Sequence, residues 1–352
     1  MSDNKIEIPS TVRLRLDGNA LTTNWRKLDD LSGSATAGAA IKANAYGLGS
    51  VEVFQRLQAA GSKDFYVANW QEARELAPYV DQSSNTSVLN GVRAEDMPYA
   101  MTGSAKPVLN SMEQVRRWRE TGRPCDVMID SGMNRLGIEA ADAKQFDWSG
   151  LDIDIVMSHL ASADEDTAQN SDQLDQFLSS LPLVPGKRAS LSNSAGIALG
   201  EAYHFDCTRP GLSLYGGKQR SELTDVIQQV VFPEAQILQT RDLKIGDKVG
   251  YNAKYTAQRD HPIAILAMGY ADGYLRGFSN SGLFLDDGQK ELPVLGRVSM
   301  DLIAIDITAA PHLEESAWVT AQYDLPLASS QSGLSQYELI TGLGNRYARY
   351  WV

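Results

Sequence analysis

Through the first two thirds of the chain, short apolar runs alternate with segments whose apolar residues recur at the spacing of a helix. The runs predict strands at 37–42, 65–68, 86–89, 107–109, 126–129, 153–157, 189–192 and 205–207. The segments between them carry helix punctuation. Ser50 precedes a helical pattern that stops at Gly61, and Ser111 with Gln114 forms a capping box for a helix ending near Gly122. Alternating strands and helices predict an α/β fold with a parallel sheet. Eight such units predict a closed, TIM-like (β/α)8 barrel, with a doubly wound open sheet as the alternative. After about Ser221 the texture changes: apolar runs at 235–238, 263–266 and 302–305 are separated by turns, and Asp287-Gly288 signals a hairpin. Little helical periodicity returns before Tyr337. The division is therefore a barrel over 12–221 and a mostly β domain over 222–352.

Composition narrows the function classes. A chain of 352 residues with 43% hydrophobic residues can build two cores. A net charge of −12 argues against nucleic acid as a partner. No apolar run approaches membrane-spanning length, and the polar start from Met1 to Glu7 lacks the core of a secretory signal. Cys125 and Cys207 are the only cysteines, too few for a disulfide framework and without zinc-ligand spacing, so no metal site is predicted. The expectation is a soluble, cytoplasmic protein.

One stretch carries distinctive chemistry. In Ala39-Ala40-Ile41-Lys42-Ala43-Asn44-Ala45-Tyr46-Gly47-Leu48-Gly49 a strand-like run ends in a lysine, followed by a small-residue turn with two glycines. Burial between Ile41 and Ala43 would lower the lysine pKa and make it an amine nucleophile. A lysine whose stem packs while its head reaches water is the plain structural alternative. The whole string, however, resembles the cofactor-lysine motif of alanine racemases, whose lysine carries pyridoxal 5'-phosphate as a Schiff base. That resemblance implies a barrel joined to a β domain that also takes the N-terminal strand, within residues 1–16.

Other strand ends bear the same resemblance. After successive strands come Asp130 to Gly137 with Arg135, Ser158-His159-Leu160, Asn193-Ser194-Ala195-Gly196, and Thr208-Arg209-Pro210-Gly211-Leu212. Singly, each has an ordinary reading as a packed histidine, a surface arginine, a helix cap or a turn. Together, at the carboxyl ends of strands, they sit where barrel chemistry gathers. Ser194 with the backbone near Gly211 and Leu212 would cradle an anion. The resemblance makes Tyr46 a phosphate contact and turns Arg209 toward the pyridine nitrogen. An arginine cannot protonate that nitrogen, so the ring remains a weaker electron sink, which favours racemisation over transamination.

Racemisation is simplest with two bases. Lys42 would serve the D-face. Val249-Gly250-Tyr251-Asn252-Ala253-Lys254-Tyr255 resembles the family's catalytic tyrosine segment, so Tyr251 would serve the L-face, reaching over from the partner in a head-to-tail homodimer. A free tyrosine has a pKa of about 10, and a hydrogen-bonded chain from Tyr251 through His159 to Arg209 could lower it. Taken alone, Tyr251 would be read as a sheet aromatic. By the same resemblance Tyr270, Arg276, Asp164 and Arg297 belong at the substrate's approach, and Met300 and Arg135 beside its carboxylate. A pocket closed by Tyr251, Tyr270 and Met300 leaves room for little beyond a methyl, making alanine the implied substrate. The chain departs from relatives at Met128, where many carry a lysine that steadies the matching arginine, and at Asn345, Ser299, Asn252 and Lys254. A racemase of serine or of broader range, a decarboxylase of this fold type, and a non-catalytic pyridoxal phosphate carrier are the competing readings.

Overall fold

The computed structural model describes residues 8–352. Residues 1–7, on which the signal-sequence expectation and part of the N-terminal strand fall, lie outside the described residues. Asn19–Gln228 form one compact unit; Gln229–Val352 with the described residues through Gly18 form the other.

In the first unit the strands Asp64–Val67, Asn85–Val88, Lys106–Leu109, Pro124–Met128, Asp152–Met157 and Arg188–Ser190 pair in parallel and in order. Ala39–Ala40 pairs with Asp64–Val67 at one end. Cys207–Thr208 closes the ring. On one side Asp206 N–H donates to Ala189 O (3.1 Å) and Arg209 N–H to Ser192 O (2.8 Å); on the other, Gly38 N–H donates to Thr208 O (2.9 Å) and Ala40 N–H to Pro210 O (2.8 Å). The barrel expectation holds, and the open sheet is excluded.

The first strand departs from the sequence pattern. It is two short pieces, Thr36–Ala37 and Ala39–Ala40, interrupted at Gly38. A side chain at Gly38 would collide with the Asp64 carbonyl and the Tyr66 ring, so only glycine lets the strand lie this close to its neighbour. Ser50 also differs. It is the first helical residue of Ser50–Ala60 rather than the cap, and Gly49 holds the cap position. Ser111 does cap Met112–Arg119 by accepting from Gln114 N–H, but the Gln114 side chain turns to Asn110 N–H (2.9 Å) instead of closing the box.

The barrel interior is layered. At the strand starts Lys106 pairs with Asp126 (2.7 Å) and Asp154, while Arg188 takes Asp64 (2.7 Å) and Asp154 (2.8 Å). Buried charges persist only when paired in this way. Two residues further along three of these strands come Tyr66, Val108 and Met128, packed with Ala40, Ile155, Met157 and Cys207 into an apolar floor. The candidate site residues of this unit lie beyond that floor, at the carboxyl ends.

The second unit is an antiparallel β structure. Val231–Leu243 pairs with Trp318–Ala321 along its first half and with His261–Leu266 along its second, shifting register between Ile237 and Gln239. Ile303–Asp306, Glu291–Leu295 and Leu283–Leu285 complete the circuit. Leu283–Leu285 and Glu291–Leu295 form the hairpin that Asp287-Gly288 predicts. Val12–Leu16 pairs with Val231–Leu243 and with Ala348–Trp351. Its alternation faces Val12, Leu14 and Leu16 inward, while Arg13 and Arg15 both reach Glu234. Among the described residues no helix is long and apolar enough to cross a membrane.

Candidate active site

Lys42 stands where the first barrel strand ends, and the backbone after it turns the wrong way. Ala43, Asn44, Ala45 and Tyr46 have φ of 53°, 54°, 52° and 56°, a left-handed turn rather than the glycine-based turn expected. An L-residue loses about 1–2 kcal/mol in this conformation. Hydrogen bonds compensate. The Glu72 carboxylate accepts from Ala43 N–H (2.8 Å) and Ala68 N–H (2.7 Å), and Asn44 Oδ1 accepts from Ser50 N–H (2.8 Å). The turn swings Tyr46 back into the core, where its ring meets that of Tyr215 at 4.8 Å. Glu72→Ala is expected to lower unfolding free energy by about 2–3 kcal/mol, a loss of two hydrogen bonds to a charged group in a half-buried setting. A shift of the urea midpoint measures it, and an unchanged midpoint would remove Glu72 from this role.

The Lys42 ammonium is destabilised. Burial lowers its pKa, Arg135 and Arg209 push the same way, and only Glu72 opposes them. His159 is pushed down to about 3 by burial, with Arg209, Arg135 and Lys42 adding to the effect. Its imidazole is therefore neutral around neutral pH. The unfolded histidine takes up a proton near its ordinary value of about 6.5. Between there and about 3 the unfolded chain binds this proton and the folded chain does not, so stability falls as pH falls. The expected slope from this one group is up to about 1.4 kcal/mol per pH unit. His159→Asn should flatten the acid side of the stability curve accordingly, and parallel curves would count against it.

Arg209 is buried and donates to Ser190 Oγ, to the Ser158 carbonyl and to Leu191 O (3.3 Å). These bonds replace the expected link to His159: the guanidinium acts on that ring through its charge, not through a hydrogen bond. Arg135 is exposed on the loop after Pro124–Met128. With Met128 in the apolar floor, the loop is shaped by Asp130, whose Oδ1 accepts from Gly132 (2.9 Å), Met133 (2.9 Å) and Asn134 (3.1 Å) N–H groups. Gln173 then ties this loop to the next. Its Nε2 donates to the His159 carbonyl (3.0 Å) and to Ser131 Oγ (3.4 Å), and its Oε1 accepts from Ala161 N–H (2.8 Å).

Ser194 begins the short helix Ser194–Ile197, capped by Asn193. Its Oγ accepts from Gly211 N–H (2.9 Å) and Ser213 N–H (3.2 Å). A hydroxyl has two acceptor sites and one hydrogen, so that hydrogen is left to donate outward. The Gly211 N–H expected to face an anion is thus engaged with Ser194, and Ser213 joins the cradle unforeseen. A side chain at Gly211 would meet the Tyr46 hydroxyl.

The remaining candidates belong to the β unit. Tyr251 and Met300 are exposed. The Tyr270 and Met300 loops are zipped together: Tyr270 N–H donates to Ser299 O (3.0 Å) and Ala271 N–H to Met300 O (3.0 Å). Arg276 lies over the Tyr270 ring, 5.0 Å from its centroid. The buried Asp272 accepts from Gly269 N–H (2.9 Å) and from Arg346 Nε (2.7 Å), next to the exposed Asn345.

Two family models cover this architecture: "Alanine racemase, N-terminal domain" matches residues 16–219 and "Alanine racemase, C-terminal domain" residues 230–351. The chain belongs to the alanine racemase family. The alanine racemase of Rickettsia conorii is 36% identical over 360 residues, covering 97% of this chain and 99% of its own. That of Cereibacter sphaeroides is 38% identical over 349 residues, covering 97% and 98%. The crystal structure of alanine racemase from Bartonella henselae, with covalently bound pyridoxal phosphate, aligns with a TM-score of 0.90 at 30% identity, covering 98% of this chain and 100% of that one.

Within this alanine racemase fold, several supporting residues escape the sequence reading. Asn69-Trp70-Gln71-Glu72 has a visible capping pattern, and Asn69 does cap Trp70–Leu76. Glu72, however, reaches Ala68 and Ala43 instead of Asn69, a link across 29 positions that spacing cannot reveal. Gln173 and Arg346 act through contacts of the same long-range kind.

Proposed function

We propose that this chain interconverts L-alanine and D-alanine with pyridoxal 5'-phosphate held through Lys42. The observation that carries this reading is the Lys42 amine: it stands at a barrel-strand end on a strained turn, and burial, Arg135 and Arg209 disfavour its charged form. The surrounding residues fit the cofactor. Gly211 leaves free the space that a Cβ would take from the Tyr46 hydroxyl, and the Ser213 hydroxyl is buried without a partner. With the outward hydrogen of Ser194 and the N–H of Leu212, which opens the turn Leu212–Tyr215, they suit a phosphate. Arg209 only donates, which suits an unprotonated ring nitrogen. When bound, the cofactor supplies the electron sink that acidifies the α-proton of an attached amino acid.

The chain's own residues do the rest. Lys42 Nζ moves the proton on the D-face and the Tyr251 hydroxyl on the L-face, with the neutral His159 imidazole in support. The Arg135 guanidinium and the Met300 N–H receive the substrate carboxylate, and Tyr270 limits the side chain to a small one. Tyr251 comes from a second subunit in a head-to-tail homodimer. Support for this lies in the 66% exposure of Tyr251, 53% of Met300 and 42% of Leu302, an apolar patch beside a pocket that Tyr251, Leu302 and Arg297 line.

The test is a panel in which protein loaded with pyridoxal phosphate receives L-alanine, L-serine, L-lysine and L-arginine separately, with D-product scored by chiral chromatography. D-alanine as the dominant product is the expected result. Comparable conversion of serine or the basic amino acids would shift the assignment to a broader racemase. No turnover despite bound cofactor would favour a carrier.

A further inference from the structure

We infer that His261 is a positioning residue for Tyr251, acting through Tyr255. The inference rests on the reading of Tyr251 as a proton carrier. Tyr251 sits in the loop between Lys248–Val249 and Tyr255–Thr256, whose ladder has the pairs Lys248↔Thr256 and Val249↔Tyr255, continued by Ala257 N–H to Asp247 O (2.8 Å) and Gly246 N–H to Ala257 O (2.8 Å). Inside it Gly250, Asn252 and Ala253 have φ of 69°, 61° and 50°. Two of these residues are not glycine, and each non-glycine residue held at positive φ costs of order 1–3 kcal/mol unless its surroundings over-determine it. Such a two-stranded ladder is a weak anchor by itself.

The anchor comes from the sheet core. The Tyr255 hydroxyl lies 3.2 Å from His261 Nε2, and the two rings meet edge to face at 6.0 Å. His261 is buried at the start of His261–Leu266, a strand paired with Val231–Leu243 on one side and Ile303–Asp306 on the other. Its Nδ1 lies 2.9 Å from the Arg259 carbonyl oxygen. A carbonyl can only accept, so Nδ1 carries a hydrogen, and in the neutral ring Nε2 then holds the lone pair. Tyr255 therefore donates its hydroxyl proton to Nε2, and the ring has one working orientation. Asp306, 3.9 Å from Nε2, is itself paired with Arg259 (3.1 Å). A rigid imidazole thus fixes the residue that closes the Tyr251 loop, and a displacement of about 1 Å in a reacting group can cost 10²-fold in rate.

Three variants of the cofactor-loaded enzyme test this. His261→Asn keeps a donor toward Arg259 but loses the acceptor for Tyr255; His261→Gln places an amide oxygen near the Nε2 position; Tyr255→Phe removes the donor. The asparagine and phenylalanine variants are expected to lower kcat for alanine about tenfold with KM and cofactor occupancy unchanged, while glutamine restores kcat to within about threefold. Wild-type kcat in both Asn and Phe variants overturns the inference, as does equal loss in Asn and Gln with matching falls in Tm. Tyr251→Phe is run in parallel. If it too leaves α-proton exchange from L-alanine intact, the reading of Tyr251 fails and this inference with it; if it alone is slow, only the role of His261 fails.

Discussion

Lys42→Ala is expected to lower alanine racemisation by at least about 10⁴-fold, the upper end of what one positioned proton-transfer group contributes. It should also leave the protein without the visible absorbance that pyridoxal phosphate gains when joined to a lysine. One side chain is asked both to hold the cofactor and to move a proton, and no neighbour can replace it. Lys106, the other lysine inside the barrel, is locked between Asp126 and Asp154, and these carboxylates raise its pKa. Lys42→Arg should be equally inactive, because a guanidinium keeps its proton. Absorbance titration with pyridoxal phosphate, alongside chiral chromatography, measures both effects. A variant within tenfold of wild type would rule Lys42 out as the essential base.

Tyr251→Phe is expected to slow racemisation by about 10²–10⁴-fold, the range for losing one general acid–base group. The enantiomers have equal free energies, so kcat/KM must fall by the same factor from either side, and racemisation alone cannot tell the faces apart. Exchange of the α-proton with solvent can. With Lys42 intact, D-alanine should still lose an α-deuterium at close to the wild-type rate, whereas L-alanine should lose it no faster than it racemises. Equal retention or equal loss for both enantiomers would sink the two-base assignment.

Much of the scaffold was legible because it depends on local periodicity. Apolar runs of strand length marked the barrel strands to within a residue or two, as at Asp64–Val67 and Asn85–Val88, since each is buried on both faces. The second unit begins at Gln229, later than the change of texture at Ser221. The first strand was read as continuous, but it is interrupted at Gly38, where a side chain would meet Asp64 and Tyr66 of the next strand.

Within the site, the residue types at the strand ends could be read directly: Lys42, His159, Ser194 and Arg209 stand at predictable places once strands are laid out in order. The left-handed turn from Ala43 to Tyr46 could not, because four consecutive non-glycine residues at positive φ run against local preference, and Glu72, which supports the turn, lies 29 positions away. Nor could the bonding of Arg209 to Ser190 and Ser158, the bridging by Gln173, or the support of Tyr255 by His261.

The amino-acid sequence by itself determined the periods, the chemical groups and their order at the strand ends, because those depend on neighbours a few positions apart. The tertiary structure alone decided the orientation and charge state of these groups. Lys42 has its pKa lowered, and His159 is pushed down to about 3, by burial and by arginines from distant segments. Desolvation and Coulomb interaction depend on distances through space, which only the closed barrel fixes.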